Sequence, residues 1–333
     1  MRRYSQWLAW GSVATLIAAC DGESSERDDE AGGPGIGSLS QGLGSATDGT
    51  ATGDGSGTGA TTDDIGDDSS GPPATKFDLG MLPDLSSVDS GCTKVDFLFI
   101  IDSSGSMGDD QDNLVANFPA FITGIQSVLE SVDEYQVGIV TTDQYGPNVP
   151  GCHQLSSLVA RTGGADSSNA ECGPFAAGHN FMTELDDLAS EFTCAADVGT
   201  SGDFSERPME AMIGAVQQVQ GGPGECNEGF LRPDSLLVVV IITDESGDDS
   251  GNSVTWFDDV VTARGGIEEN IAVVSLINTP GGGCPNETAH AISAFTNMFT
   301  NGFEAPVCTG DYGPSFTQAI DVIDQACDNF IPG

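Results

Sequence analysis

The sequence predicts an α/β fold: a doubly wound, mostly parallel central sheet flanked by helices in three layers, with one cysteine-rich insertion. Three observations carry this. Runs at residues 95–101, 136–142, 236–243 and 271–277 are short and apolar on both faces, as strands buried on both sides of a parallel sheet must be. Stretches of helical periodicity lie between and after them. The two kinds of segment alternate, which is the signature of helices packed on both faces of one sheet.

From the amino end, Arg2 and Arg3 precede an apolar stretch from Trp7 to Ala19. A bilayer-spanning helix needs about 20 apolar residues, so this stretch is short for a permanent span and reads as an export signal. It closes on Ile17-Ala18-Ala19-Cys20. Small residues before a cysteine suit a peptidase groove, and the thiol at the cut can carry a diacylglycerol. The segment resembles a bacterial lipobox. It implies residues 1–20 as signal peptide, Cys20 as lipidation site, and a lipid anchor to the inner or outer membrane of a bacterial envelope or to the cell surface. An ordinary signal peptide with a chance cysteine is the alternative. Residues 21–74 form an acidic Gly/Ser/Thr/Asp linker with too little apolar surface to offset ordering entropy, and are expected to be disordered. Such a coil reaches roughly 40 Å.

Residues 75–333 are expected to form the folded domain. Helical patterns are read at 112–129, 209–219, 254–263, 289–299 and 316–330. Residues 145–199, rich in Gly, Ser and Cys, break the strand–helix rhythm and read as an insertion with one helix near 184–192. The chain has nine cysteines. With Cys20 lipidated, Cys92, Cys152, Cys172, Cys194, Cys226, Cys284, Cys308 and Cys327 form an even set, which in an exported chain predicts four disulfides among roughly a hundred possible connectivities. Cys92, just before the first strand, is expected to pair with Cys327 in the last helix, and Cys284 with Cys308. No C-x-x-C pair occurs and there are three histidines, so a zinc site is poorly supported.

Net charge is −42, with nine Lys and Arg in 333 residues. Such a surface repels phosphate backbones, which argues against nucleic acid as a partner, and it attracts cations. Acidity also keeps an exported protein soluble.

In open parallel sheets, ligands bind beyond the carboxyl ends of the strands. The first strand runs into Asp102-Ser103-Ser104-Gly105-Ser106, and the strand at 236–243 runs into Asp244. Alternate spacing lets one loop aim the oxygens of Asp102, Ser104 and Ser106 at one point. These are hard donors suited to Mg²⁺ or Mn²⁺, or to Ca²⁺. The competing reading is that Asp and Ser at strand ends are turn and cap residues.

The segment Val95-Asp96-Phe97-Leu98-Phe99-Ile100-Ile101-Asp102-Ser103-Ser104-Gly105-Ser106-Met107, with Ile241-Ile242-Thr243-Asp244 downstream, resembles von Willebrand factor A domains, the inserted domains of integrins. The resemblance covers residues 92–330 apart from the insertion. It implies a metal-ion-dependent adhesion site: a D-x-S-x-S loop, a second-loop ligand, and an Asp after a later strand. Asp102-x-Ser104-x-Ser106-Met107-x-Asp109-Asp110 is most similar to integrin β subunits, whose second loop supplies a glutamate. The spacing of Asp203, Glu206 and Ala211 implies Glu206 as that ligand, with Thr200 as the alternative. Asp109, Asp110 and Asp203 are implied as possible adjacent Ca²⁺ ligands, although carboxylates at a helix N-terminus are also favoured by the dipole alone. Glu245, Asp248 and Asp249 read as Ca²⁺ ligands or as an acidic surface loop.

Enzyme signatures are absent: there is no H-E-x-x-H, G-x-S-x-G or G-x-x-x-x-G-K-[ST]. His153, His179 and His290 read as surface or structural. The expectation is binding, with a protein ligand joined through an acidic side chain. The rivals are a module whose ion only stabilises the fold, and a metal-dependent hydrolase.

Overall fold

The computed structural model describes residues 91–332 apart from 129–131, 133 and 286. The expected export signal, Cys20, the expected linker and the start of the expected domain lie outside the described residues. The element order is β1 (Lys94–Ile101), α1 (Gly108–Val128), β2 (Glu134–Thr141), β3 (Met182–Thr183), α2 (Leu188–Ala196), α3 (Pro208–Val216), β4 (Leu236–Thr243), α4 (Ser253–Ala263), β5 (Ile271–Ile277), α5 (His290–Thr296), β6 (Gly302–Pro306) and α6 (Gly313–Asp328), with a 3-10 turn at Glu268–Asn270 before β5. The strands form one sheet in the order β3-β2-β1-β4-β5-β6. All neighbours are parallel except β3 against β2. This is the doubly wound α/β fold that the sequence predicts.

Successive side chains of a strand point to opposite faces, and β1 divides accordingly. Phe97, Phe99 and Ile101 pack on Leu114, Phe118, Phe121, Phe192 and Phe316 from α1, α2 and α6. Leu98 and Ile100 pack on the other face with Met209, Met212, Trp256, Val260, Ile292 and Phe295 from α3, α4 and α5. Both faces are covered, so β4 is buried at every position.

Differences from the sequence expectation sit at element ends. α1 starts at Gly108 rather than 112, because its acidic first turn (Asp109, Asp110) hides the apolar periodicity while favouring the helix dipole. β2 begins and ends earlier than 136–142. α3 stops at Val216, short of 219, and α5 and α6 likewise end before 299 and 330. The insertion's helix is Leu188–Ala196, later than 184–192, since Asp186 is committed to a turn, accepting from the Thr183 and Ala176 N–H groups at 2.8 and 2.7 Å. β3 and β6 are additional.

Four disulfides join Cys92–Cys327, Cys152–Cys226, Cys172–Cys194 and Cys284–Cys308. The first and last are the expected pairs. Cys172–Cys194 closes the insertion on itself, and Cys152–Cys226 ties it to the segment after α3.

Candidate metal site at the carboxyl edge

Register aligns the strand exits. Ile101 lies opposite Thr141 on β2 and Ile242 on β4, so Asp102, Thr142 and Thr243 leave the sheet at one level. Asp102 is fully buried. One carboxylate oxygen accepts from the Ser104 N–H at 2.7 Å and the other from the Thr243 hydroxyl at 2.6 Å. The Ser104 and Ser106 hydroxyls lie 3.2 Å apart, and Ser106 donates to Asp244 Oδ1 at 3.0 Å. Ser104 and Asp244 are buried while Ser106 is exposed, so this chain of oxygens opens to solvent at Ser106.

Glu206 comes in from the loop before α3 and is fully buried. Thr142 donates its hydroxyl to Glu206 Oε2. Glu206 Oε1 is buried and has no hydrogen-bond partner among the described residues. Desolvation, and then the charge of Asp102, push the Glu206 carboxyl up to about 9. Asp102 is raised by desolvation too, against the hydrogen bonds from Thr243 and Ser104. An orphaned carboxylate oxygen of this kind costs free energy unless a cation or a proton meets it.

The donors are all oxygens, and with an orphaned carboxylate among them they fit a hard divalent cation. Ser104, Ser106 and Asp244 are joined directly. Asp102 is tied in through the Ser104 N–H, and Glu206 by charge with Asp102. Among the described residues no three His, Cys, Asp or Glu side chains are gathered closely enough to hold an ion between them.

The other expected ligands are placed differently. Thr200 donates its hydroxyl to Asp166 of the insertion at 2.7 Å. Asp109 is exposed, whereas Asp110 is buried beneath it and accepts from Tyr312 Oη at 2.9 Å. Burial lifts the Asp110 carboxyl to about 6 against that hydrogen bond. Asp203 is exposed and accepts from the Phe204 N–H at 2.7 Å. In the acidic loop, Asp249 accepts from the Met209 and Glu210 N–H groups at 3.2 and 2.7 Å. It satisfies the free donors at the start of α3, which is a capping role.

Several site residues escape the sequence reading. Asp143 accepts from the Ser103 hydroxyl at 3.2 Å and the Asp203 N–H at 2.9 Å, joining the first and second loops. Gln111, 2% exposed, reaches back from α1 to the backbone of both loops. Thr142 and Asp143 follow β2 as Asp102 follows β1, so the strand-exit rule applied to a third strand finds them. Phe204 is 91% exposed and lines a depression with Ser106, Glu245, Asp248 and Glu287.

No protein-family profile and no curated protein sequence matches the chain. Solved structures similar to it include proximal thread matrix protein 1 from the mussel byssus, in one crystal form at 12% identity and TM-score 0.38, over 71% of this chain and 49% of that one. A structure of the same mussel protein, described as having a zinc-occupied MIDAS motif, aligns at 14% identity and TM-score 0.38, over 72% and 47%. The pilus adhesin SpaC from Lactobacillus rhamnosus GG aligns at 11% identity and TM-score 0.37, over 69% and 30%. The chain thus spans about half the length of the mussel protein and under a third of the adhesin.

Proposed function

We propose that this chain is an extracytoplasmic, lipid-anchored binding protein that engages a protein partner through a divalent cation. Ser104, Ser106 and Asp244 hold the ion from one side, and Asp102 and Glu206 supply charge behind it. The observation that carries the reading is the pair of buried carboxylates. None of the four ion pairs among the described residues involves Asp102 or Glu206, and Glu206 Oε1 is orphaned. Mg²⁺, Mn²⁺ or Ca²⁺ supplies the missing positive charge. It also supplies an exchangeable position facing solvent, where a partner's Asp or Glu side chain replaces water.

The residues divide the work. Asp102 fixes the turn of the first loop through the Ser104 N–H. Ser106 stands at the opening and Phe204 beside it offers an apolar contact. Around them Glu245, Asp248 and Glu287 make an acidic rim that repels an acidic ligand, so the ion gives the partner's carboxylate its favourable contact. Four disulfides suit an oxidising compartment, and among the described residues no helix is long and apolar enough to cross a membrane. In this reading the anchor is a lipid on Cys20. Its replacement, Cys20→Ser, should move the protein from the detergent to the aqueous phase.

Isothermal titration of Mg²⁺ and Mn²⁺ into EDTA-stripped protein tests the site. Binding should fall by about two orders of magnitude in Asp244→Ala, be weakened less in Glu206→Ala and be kept in Thr200→Ala. Wild-type behaviour in Asp244→Ala would show the site to be misplaced. Envelope crosslinking with and without EDTA tests the partner. Metal-dependent stability with no metal-dependent partner would favour an ion that only braces the fold, and ester or phosphodiester turnover lost in Asp102→Ala would favour a hydrolase.

A further inference from the structure

We propose that Gln111 is a positioning residue that couples the disulfide-closed insertion to the ion loop, so that binding an ion tightens the insertion and the insertion sets ion affinity. The inference rests on the divalent-ion reading above. The Gln111 amide is fully used. Its Nε2 donates to the Asp102 carbonyl at 2.9 Å and to the Gly199 carbonyl at 3.0 Å, and its Oε1 accepts from the Gly199 N–H at 2.9 Å. Asp102 opens the serine loop, and Gly199 closes the insertion. One buried side chain therefore holds the backbone of both segments, and only a primary amide of this length has the two donors and one acceptor that they require.

The far side of this clamp is rigid. Gly199 has φ +83°, and a Cβ there would strike Ser167 at 2.7 Å. The Thr200 N–H donates to the Ala165 carbonyl at 2.9 Å and the Ser168 N–H to the Asp197 carbonyl at 3.1 Å. Ser168 Oγ then donates to the Cys194 carbonyl at 2.8 Å, and Cys194 is bonded to Cys172. A path of hydrogen bonds, short backbone links and the Cys172–Cys194 bond thus runs from Asp102 through Gln111 to the insertion's disulfide. A second latch lies beside it, with the Gly202 N–H donating to the Ser103 carbonyl at 2.8 Å. Fixing either segment restricts the other, and the coupling is equal in both directions.

The test uses the full chain and Mn²⁺ alone as probe. In the wild type, Mn²⁺ should slow amide hydrogen exchange across residues 163–200 as well as in the serine loop. Gln111→Leu should weaken Mn²⁺ about tenfold, within the usual range of coupling between sites. It should also abolish the Mn²⁺ effect on exchange at 163–200 and alter the Mn²⁺ paramagnetic resonance spectrum. Asn270→Leu is the matched control. It removes a buried amide at the amino end of β5, away from the insertion, one that donates to the Ile331 carbonyl at 2.7 Å and accepts from the Ile331 N–H at 2.8 Å, and should lose stability while keeping Mn²⁺ affinity. If Gln111→Leu does not fold, Gln111→Asn, one methylene shorter, gives the same comparison. Unchanged Mn²⁺ affinity in a folded Gln111 variant, or equal loss in Asn270→Leu, overturns the coupling and leaves the ion reading intact. A wild type that binds no Mn²⁺ overturns both.

Discussion

β1 carries two buried aspartates, one at each end, and they are treated in opposite ways. Asp96, at the amino end, is fully buried and has an internal counter-charge. Arg232 donates to Asp96 Oδ1 through Nε at 2.9 Å and through a terminal nitrogen at 2.7 Å, and the Arg232 N–H and Ser235 hydroxyl reach the other oxygen at 2.6 Å each. Asp102, at the carboxyl end, is just as buried, but receives a hydroxyl and one N–H, with the carboxyls of Asp244 and Glu206 nearby. One strand is thus flanked by a self-neutralised pair and by a carboxylate cluster that none of the ion pairs among the described residues neutralises. In the proposed reading the missing charge comes from solution.

This contrast can be broken from either end, and the largest effect is expected at the closed one. Arg232→Met leaves Asp96 buried without its partner and should cost about 3–5 kcal/mol, measured by denaturant unfolding. The loss should be the same in EDTA and in Mn²⁺. A loss that Mn²⁺ repairs would mean that the two ends are not independent.

The next effect comes from pH at the open end. The unfolded chain releases the Glu206 proton near its ordinary value of 4.5, and the folded chain keeps it until about 9. Between those values the native state holds more protons than the unfolded state. In EDTA, stability from this group should therefore fall as pH rises from about 5 to 9, by on the order of a few kcal/mol. Glu206→Gln should flatten the slope, and so should saturating Mn²⁺, which holds the carboxylate ionised. A slope that survives Glu206→Gln would place its origin elsewhere.

Asp244→Ala should weaken Mn²⁺ by about two orders of magnitude, roughly 2.7 kcal/mol, while leaving the Arg232–Asp96 end unchanged. Isothermal titration beside an EDTA thermal melt separates the two readouts. The smallest change in stability is expected for Phe204→Ala. It should shift unfolding by less than about 0.5 kcal/mol, as exposed positions do, yet reduce partner capture in a metal-dependent pull-down by about tenfold, as loss of an aromatic anchor does. Unchanged capture would remove Phe204 from the docking surface.

What the sequence makes legible follows physical rules. The runs at 236–243 and 271–277 coincide with β4 and β5, because strands in the middle of a parallel sheet are buried on both faces and cannot hide their pattern. The edge strands are different. Gly302-Phe303-Glu304-Ala305-Pro306 is bounded by turn residues and half-exposed along most of its length, and β3 is two residues long. Likewise Asp102, Ser104, Ser106 and Asp244 stand out because they follow strands directly. Thr142 and Asp143 follow β2 in the same way and fall to the same rule, whereas Gln111 acts through Asp102 and Gly199, and Gly199, far away in sequence, becomes visible as its partner once the loops are brought together in space.

The Cys92–Cys327 bond has a mechanical consequence. It joins the residue just before the central strand to the end of α6, across 235 positions, and the Cys92 N–H donates to the Cys327 carbonyl alongside it. A pull between residue 91 and Ser106 runs along the axis of β1. That strand is paired over its length with β2 on one side and β4 on the other, so the ladder is loaded in shear and its bonds share the strain instead of opening one after another. α6 cannot peel away under that load, because its end is welded to the point of traction.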